Sequence, residues 1–269
     1  MGIEARLERP YRVRFDEAGP DGVLRSSGYL RYAQDLAWVH SESAGFGREW
    51  YAERRLTWLV RAIELEIVDS AAFGTELNVS TEVTGFRRVW ARRRSEFRPT
   101  GELRPLAVAV TDWVLLDGRG RLIRPPQQIL DVFREQPGSH EPLRVDRALP
   151  ADAAAASRAA FRVRISELDP MGHVNNGAYL DYLDEHYLDA AGEVASLPLP
   201  RRYRAEFIAS AEAHATVASV GWADGQAWSY RLEDGHGREL FRARLEAHLE
   251  RTSTKDRSPN SSPVRGRPA

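Results

Sequence analysis

The 269-residue sequence contains no cysteine. This absence excludes disulfide bonds, thiolate metal sites and a cysteine nucleophile. Lysine is nearly absent as well, because all but one of the 38 basic residues are arginine and the exception is Lys255. The formal net charge is −1, so no overall basic field argues for binding to nucleic acid.

Long apolar runs are also missing. No stretch approaches the roughly 18 consecutive apolar residues that a membrane span requires, and the N-terminal MGIEARLERPYRVRF has mixed charge and no apolar signal region. The sequence has no nucleotide-binding loop, and its seven histidines are scattered without metal-ligand spacing. We therefore expect a cytoplasmic protein with no membrane span, no metal and no cofactor.

The chain contains an internal repeat at an offset of 150 residues. Residues 11–32, YRVRFDEAGPDGVLRSSGYLRY, align without a gap with residues 161–182, FRVRISELDPMGHVNNGAYLDY. Nine of these 22 positions are identical, namely Arg12/Arg162, Val13/Val163, Arg14/Arg164, Glu17/Glu167, Pro20/Pro170, Gly22/Gly172, Tyr29/Tyr179, Leu30/Leu180 and Tyr32/Tyr182. Such a match at a single offset indicates a duplicated domain.

Each copy has the pattern of a short strand, a Gly/Pro turn, a long helix and a run of antiparallel strands. Ser26 or Ser27 in the first copy, and Asn175 or Asn176 in the second, can cap the helix that Gly45 or Gly192 then ends. The predicted strands are 11–15, 56–68, 76–84, 88–98 and 106–116, then 161–165, 201–209, 214–222, 227–233 and 239–249, with a hairpin turn at Asp234-Gly235. The pattern predicts an α+β fold in which a sheet wraps each helix.

Composition suggests the domain boundaries. A first domain covers 1–136 and a second covers 159–250. Between them, residues 137–158 contain PGSHEP and ADAAAAS, which is typical of a linker. The tail 251–269 is polar, rich in Pro and Ser and without periodicity, so we expect disorder there.

The two copies differ in residues that could perform chemistry. Asp169 of the second copy aligns with Gly19 of the first, and His173 aligns with Val23. The carboxylate and the imidazole therefore occur only in the second half. This difference predicts a single active site there, with the first domain as a non-catalytic scaffold and pocket wall.

The segment ELDPMGHVNNGAYLDYL, residues 167–183, resembles the D-x-x-x-H-V-N-N-x-x-Y signature of hot-dog thioesterases. The order of segments over about residues 10–250 is similar to the acyl-ACP thioesterases of plants and bacteria, which are double hot-dogs. In the first half, GFGREWYAERRLTWLVRAIELEI, GFRRVWARRRSEF and AVTDWVLLD share this resemblance and favour acyl-ACP as the substrate. The resemblance implies two fused hot-dog domains that hydrolyse fatty acyl-ACP to free fatty acid and holo-ACP.

The resemblance also implies site residues. The catalytic Asp, His and downstream Glu of the family correspond to Asp169, His173 and Glu206. Two positions depart from the family pattern. Met171 replaces an Asn that lies between the Asp and the His, and Phe207 replaces the Cys that follows the Glu, which rules out a thiol mechanism.

The chemistry requires an activated nucleophile, stabilisation of an oxyanion and a path for the proton. Asp169 precedes a helix N-terminus, where the amides of Asn175, Asn176 and Gly177 are placed to hold a thioester carbonyl oxygen. Glu206 or Asp169 could activate water, and attack by Asp169 itself stays open. A purely structural interpretation also stays open, because Asp often shapes a turn and Asn often caps a helix.

A run of arginines lies on one predicted strand of the first half. Because acyl carrier protein is acidic, Arg87, Arg88, Arg92 and Arg94 are predicted to dock it. An ordinary solvated strand in an arginine-rich protein is the alternative.

Other functions remain possible at this point. An acyl-CoA thioesterase of the same fold is the nearest enzyme, and CoA phosphates could also use those arginines. A non-catalytic acyl-binding module is suggested by Met171, although such a module needs none of Asp169, His173 and Glu206. One chain already supplies two hot-dog units, so either a monomer or a homodimer is expected.

Overall fold

One antiparallel sheet runs through both copies of the repeat in the computed structural model, which describes residues 6–133, 141–192 and 197–247. In the first copy the elements are β1 Arg6–Arg12, α1 Ser26–Ser43, α2 Arg48–Arg54, β2 Thr57–Ile67, β3 Glu76–Arg87, β4 Trp90–Pro99, β5 Ala107–Leu116, β6 Leu122–Ile123 and α3 Gln127–Phe133. In the second they are β7 Ser157–Arg162, α4 Asn176–Ala191, β8 Arg201–Phe207, β9 Thr216–Asp224, β10 Ala227–Glu233 and β11 Glu239–Ala247. The described chain is therefore mostly antiparallel sheet with four helices.

The strand order reflects the duplication. It runs β1-β3-β4-β5-β2-β8-β11-β10-β9-β7, with β6 paired to β5 off this path. The second half therefore repeats the order of the first in reverse, and the halves meet where β2 and β8 pair antiparallel, for example Ile63 with Ala205 and Leu65 with Tyr203. This arrangement places the two copies about a pseudo-twofold axis at the β2–β8 junction.

The long helices α1 and α4 lie against the sheet, as the sequence pattern predicts, and also against each other, which was not predicted. On α1, the side chains spaced three and four residues apart at Tyr29, Tyr32, Ala33, Leu36 and His40 form a stripe that is buried. On α4 the stripe is buried as far as His186, whereas Tyr187 is partly exposed and Ala190 is exposed. Both helices contribute to one apolar core that continues across the junction.

Several identities of the repeat have the same structural role in both halves. Tyr182 donates a 2.5 Å hydrogen bond to Glu167, and Tyr32 donates to Glu17 in the same way. Gly22 and Gly172 both adopt a positive φ, of 75° and 79°, which favours glycine in the turn before each helix. These repeated residues therefore maintain the turn and its attachment to the helix.

The helix ends follow the predictions only in part. The Asn175 side chain caps α4, and Gly192 ends it in the left-handed conformation. The prediction for the first copy is wrong, because Arg25 is the N-cap of α1 and its side chain does not cap the helix. Ser26 and Ser27 instead lie inside the first turn and are buried.

Other boundaries differ from the sequence-based expectation. β1 and β7 begin earlier than predicted, and β7 starts at Ser157, inside the predicted linker. The helices α2 and α3 and the short strand β6 were not predicted. In the β10–β11 hairpin, Gly237 rather than Gly235 has a positive φ, of 76°. The predicted tail, 251–269, and the last residues of the predicted final strand lie outside the described residues.

The described part of the linker lies on the outer face of the sheet, the face away from α1 and α4. The Leu143 amide donates a 2.7 Å hydrogen bond to Asp112 on β5, and Arg147 lies 3.7 Å from Glu239 on β11. The segment therefore passes from the first half to the second across the sheet. No helix among the described residues is both long and apolar enough to cross a membrane.

Candidate active site

The turn that carries Asp169 is closed by its own backbone and by the Asp169 carboxylate. The Asp169 amide donates a 2.7 Å hydrogen bond to the His173 carbonyl, and Leu168 and Val174 form a bridge at the base of the turn. Oδ1 of Asp169 accepts hydrogen bonds from the amides of Met171, at 2.9 Å, and His173, at 3.1 Å. Within the described residues, Oδ2 accepts none. One carboxylate oxygen thus fixes the turn while the other stays available.

The equivalent turn of the first half forms without a carboxylate at the equivalent position. The Gly19 amide donates a 2.8 Å hydrogen bond to the Val23 carbonyl, and Ala18 and Leu24 form the bridge at its base. There Asp21 accepts from the Val23 amide at 3.2 Å. The fold therefore does not require an aspartate where Asp169 stands.

His173 and Met171 lie on the same turn and are both exposed, Met171 to 53%. The His173 backbone amide donates a hydrogen bond to the Asp169 carboxylate. Its imidazole forms no hydrogen bond within the described part of the chain. The turn thus brings the predicted Asp and His together through the backbone, with the imidazole free to meet water or substrate.

The helix N-terminus that follows the turn is partly used by its own cap. Asn175 Oδ1 accepts a 2.8 Å hydrogen bond from the Gly177 amide, so that amide is engaged. The Ala178 amide donates to the Asn175 carbonyl at 2.9 Å. The Asn175 amide donates to the Glu167 carbonyl at 2.8 Å. Two of the three predicted oxyanion donors are thus engaged, and Asn176, which begins α4 with a half-buried side chain, is the third.

The first half contributes Arg31 to this helix terminus. Arg31, on α1, forms a 2.7 Å ion pair with Asp181 of α4 and donates a 3.0 Å hydrogen bond to Ser27. Its Nε lies 3.1 Å from the place that a Cβ on Gly177 would occupy. Arg31 and Asp181 are equivalent positions of the repeat, so this pair joins the two halves close to the pseudo-twofold axis. Sequence reasoning missed it, although the opposite charges at aligned positions were a visible signal.

Glu206 lies elsewhere. It is on β8 opposite Ala62 and Arg242, and its carboxylate is 3.3 Å from Arg242. Tyr203 and Phe207 on the same strand belong to the core beneath the helices, so Glu206, at the alternate position, faces away from them. The structure does not bring Glu206 to the Asp169 turn, and its catalytic role stays a prediction.

The arginines predicted to dock acyl carrier protein are mostly paired. Arg92 holds Asp112 through two hydrogen bonds of 2.7 and 2.8 Å, and its side chain is 16% exposed. Arg94 pairs with Glu96 at 2.8 Å. Arg87 pairs with the linker residue Glu141, also at 2.8 Å, and Arg88 is exposed in the β3–β4 hairpin. The charges of Arg92 and Arg94 are therefore already compensated within the protein, and the role of this strand in docking stays a prediction.

A polar cluster that sequence reasoning missed lies inside the junction of the halves. Tyr203 donates a 2.8 Å hydrogen bond to Asp184 of α4, and its hydroxyl lies 2.7 Å from that of Ser26 on α1. Arg201, only 6% exposed, donates to Ser26 at 3.2 Å. Burial of the carboxyl raises the pKa of Asp184 to about 7, against the lowering effects of Arg201, Ser26 and Tyr203. We call these four residues the junction cluster.

Comparison with known proteins identifies the family. The model of the acyl-ACP thioesterase N-terminal domain matches residues 4–134, and that of the acyl-ACP thioesterase C-terminal domain matches residues 151–221. No curated protein sequence matches the chain significantly.

Solved structures show the same fold at low identity. An acyl-ACP thioesterase from Bacteroides thetaiotaomicron is 16% identical, with a TM-score of 0.73 over 91% of this chain and 99% of that one. The 12:0-ACP thioesterase from Umbellularia californica is 19% identical, with a TM-score of 0.73 over 90% of this chain and 96% of that one. With family models that span both halves of the repeat, the chain belongs to the acyl-ACP thioesterase family, and it is a thioester hydrolase acting on fatty acyl-ACP.

Proposed function

We propose that the acyl thioester is cleaved at the Asp169 turn. The proposal rests on the difference between the two oxygens of the Asp169 carboxylate. Oδ1 accepts hydrogen bonds from two backbone amides, whereas Oδ2 accepts none within the described residues. A carboxylate oxygen that is fixed in position and unpaired can act on water or on a carbonyl carbon. The equivalent turn of the first half has Gly19 at this position, which supports one active site per chain.

The chemistry has two balanced routes. In the first, Oδ2 takes a proton from water as the water oxygen adds to the thioester carbonyl carbon. The tetrahedral oxyanion then collapses and the C–S bond breaks, which releases the fatty acid and the thiolate of holo-ACP. The proton on Oδ2 passes to this thiolate or to solvent, which restores the Asp169 carboxylate. In the second, Oδ2 itself adds to the carbon and expels the thiolate, and water then cleaves the mixed anhydride. A thiolate leaves readily, so neither route depends on a strong general acid.

The neighbouring groups have supporting roles in this proposal. The first turn of α4 has a positive dipole end and presents the Asn176 amide to a developing oxyanion. Arg31, which is paired with Asp181, places its guanidinium from the first half beside Gly177. The exposed His173 imidazole can orient water, because its two ring nitrogens can donate and accept hydrogen bonds.

The proposal extends to the domain architecture. We assign residues 1–136 and 159–250 to two fused hot-dog domains joined by 137–158. This assignment is supported by the repeated strand order and by the single long helix, α1 or α4, against the sheet of each half.

Thiol release tests the substrate. With carriers of matched acyl chain length, turnover of acyl-ACP is expected to exceed turnover of acyl-CoA, because the protein surface of the carrier adds contacts that CoA lacks. Faster release from acyl-CoA would assign the site to the other carrier. Binding of an acyl ligand without release of thiol from either carrier would indicate a non-catalytic module, and Met171 would then be the first residue to revert to Asn.

The two routes can be separated by a single turnover in oxygen-18 water. Direct attack by water leaves the label in the fatty acid alone. The covalent route leaves it in the Asp169 side chain when water opens the anhydride at the aspartyl carbon. Label in the peptide that contains Asp169, detected by mass spectrometry, establishes the covalent route.

A further inference from the structure

The outer face of the sheet differs between the two halves at its edges. On the edge strand β7, the side chains of Arg158 and Arg162 are exposed and form no hydrogen bond or ion pair with any described residue. In register beside this strand, Thr216 lies opposite Arg162 and Ala218 opposite Ala160 on β9, and both are exposed. We call this surface the β7–β9 face, defined by Arg158, Arg162, Thr216 and Ala218. It carries two arginines and no acidic residue.

The equivalent surface of the first half is electrically compensated. Glu8 stands where the second half has Arg158, and Glu76, paired in register with Arg12, stands where it has Thr216. Glu8 lies 3.6 Å from Arg98 and 3.9 Å from Arg6. The two edges have the same strand pairing. At the positions of Glu8 and Glu76, however, the second half has Arg158 and Thr216, so it has no acid there and one more arginine. An ordinary solvated edge does not require this asymmetry.

The β7–β9 face leads directly to the proposed catalytic turn. Asp169 follows Arg162 by only seven positions, which limits the distance between the two Cα atoms to about 25 Å when the chain is fully extended. Between Arg162 and the end of the turn, Ile165 is 66% exposed and Met171 is 53% exposed. Arginines followed by two exposed apolar side chains form a surface that suits a protein partner with acidic and apolar residues.

We infer that the β7–β9 face, together with Ile165 and Met171, is the surface on which the acidic carrier protein docks to deliver its acyl chain to the Asp169 turn. The inference rests on the proposed function, because it takes that turn as the catalytic end of the molecule. It places docking on the catalytic half instead of the β4 strand of the first half, where Arg92 and Arg94 are already paired.

Charge reversal tests the inference in the full-length protein. The double variant Arg158→Glu/Arg162→Glu is expected to lose about tenfold or more in kcat/KM for acyl-ACP at low ionic strength, since electrostatic steering changes association rates by this order. The loss should shrink as salt screens the charges. Hydrolysis of an acyl N-acetylcysteamine thioester, which has no carrier protein, should not change. The milder Arg158→Ala/Arg162→Ala variant should lie between wild type and the double Glu variant.

Arg12→Glu is the matched control, because Arg12 occupies the same position as Arg162 in the other half. It should leave kcat/KM for acyl-ACP unchanged. An equal loss in the control, or no loss in the double variant at low salt, would overturn the inference. So would an equal loss with acyl-CoA, because the face would then recognise phosphates and not a protein.

Direct titration of holo-ACP separates this inference from the proposed function, since binding needs no turnover. Weaker binding to the double variant but not to Arg12→Glu supports the docking surface, even if Asp169 proves to be non-catalytic. Unchanged binding of holo-ACP to the double variant refutes it, whatever the activity of the wild type.

Discussion

Replacing Asp169 with Asn is expected to lower kcat for acyl-ACP by a factor of about 10²–10⁴, the range typical of a lost general base or nucleophile. The Asn side-chain oxygen can still accept the two backbone hydrogen bonds that Oδ1 of Asp169 accepts from Met171 and His173. The turn should therefore keep its shape while the second carboxylate oxygen loses its charge. Steady-state thiol release and thermal unfolding of the same preparation measure the two effects separately.

Two further variants show whether Asp169 acts through chemistry or through structure. Asp169→Ala removes both the charge and the backbone acceptor, so it should be as inactive as Asp169→Asn and slightly less stable. Asp21→Asn changes the loop-forming carboxylate of the equivalent first-half turn, where Oδ1 accepts from Val23, and should remain fully active. Activity retained in Asp169→Asn but lost in Asp169→Ala would reduce Asp169 to a turn-forming residue.

The sequence was sufficient to predict the features that the duplication repeats. The identity of Glu17 with Glu167 and of Tyr32 with Tyr182 reflects a hydrogen bond that attaches each turn to its helix. A contact that is present in both copies keeps the same residues at both aligned positions. The turn, the helix and the following strands could therefore be placed from the sequence. The Asn175 cap could be predicted for the same local reason, because its partner lies two residues away.

Contacts that join distant segments could not be predicted in this way. Ser26 is a good capping residue by type, yet its hydroxyl lies beside Tyr203, which is 177 positions away in the sequence. Arg92 belongs to an arginine run, and only the register of β4 with β5 reveals that Asp112 neutralises it. For Glu206, the motif indicated catalysis, whereas strand alternation turns the side chain to the outer face. For Ser26 and Arg92, tertiary pairing decided what the local pattern left open, whereas the catalytic role of Glu206 stays a prediction.

The junction cluster should make the stability of the protein depend on pH. Unfolded, the Asp184 carboxyl titrates near its ordinary value of 3.8, while its pKa in the folded protein is raised to about 7 because burial disfavours the charged form. Between about pH 4 and pH 7 the folded state therefore holds a proton that the unfolded state has released. The free energy of unfolding consequently falls as the pH rises through this window, and Asp184 adds no further slope above it.

The neutral variant Asp184→Asn should remove this dependence. Its carbonyl can accept the Tyr203 hydrogen bond, and no proton is exchanged on unfolding. Relative to the variant, the wild type should lose up to about 1.4 kcal/mol of stability per pH unit between pH 4 and 7. Relative to its value at pH 4, the difference in stability between the two proteins should therefore shift by up to about 4 kcal/mol in favour of the variant at pH 8. Urea unfolding at several pH values gives both curves, and it is their difference that isolates Asp184 from the other titrating groups.

The control is Glu185→Gln, which removes an exposed carboxylate from the next position of α4. Its free energy of unfolding should change with pH in parallel with that of the wild type. If the wild type and Asp184→Asn also run parallel, Asp184 is ionised in the folded protein and the junction is held by its charge together with Arg201.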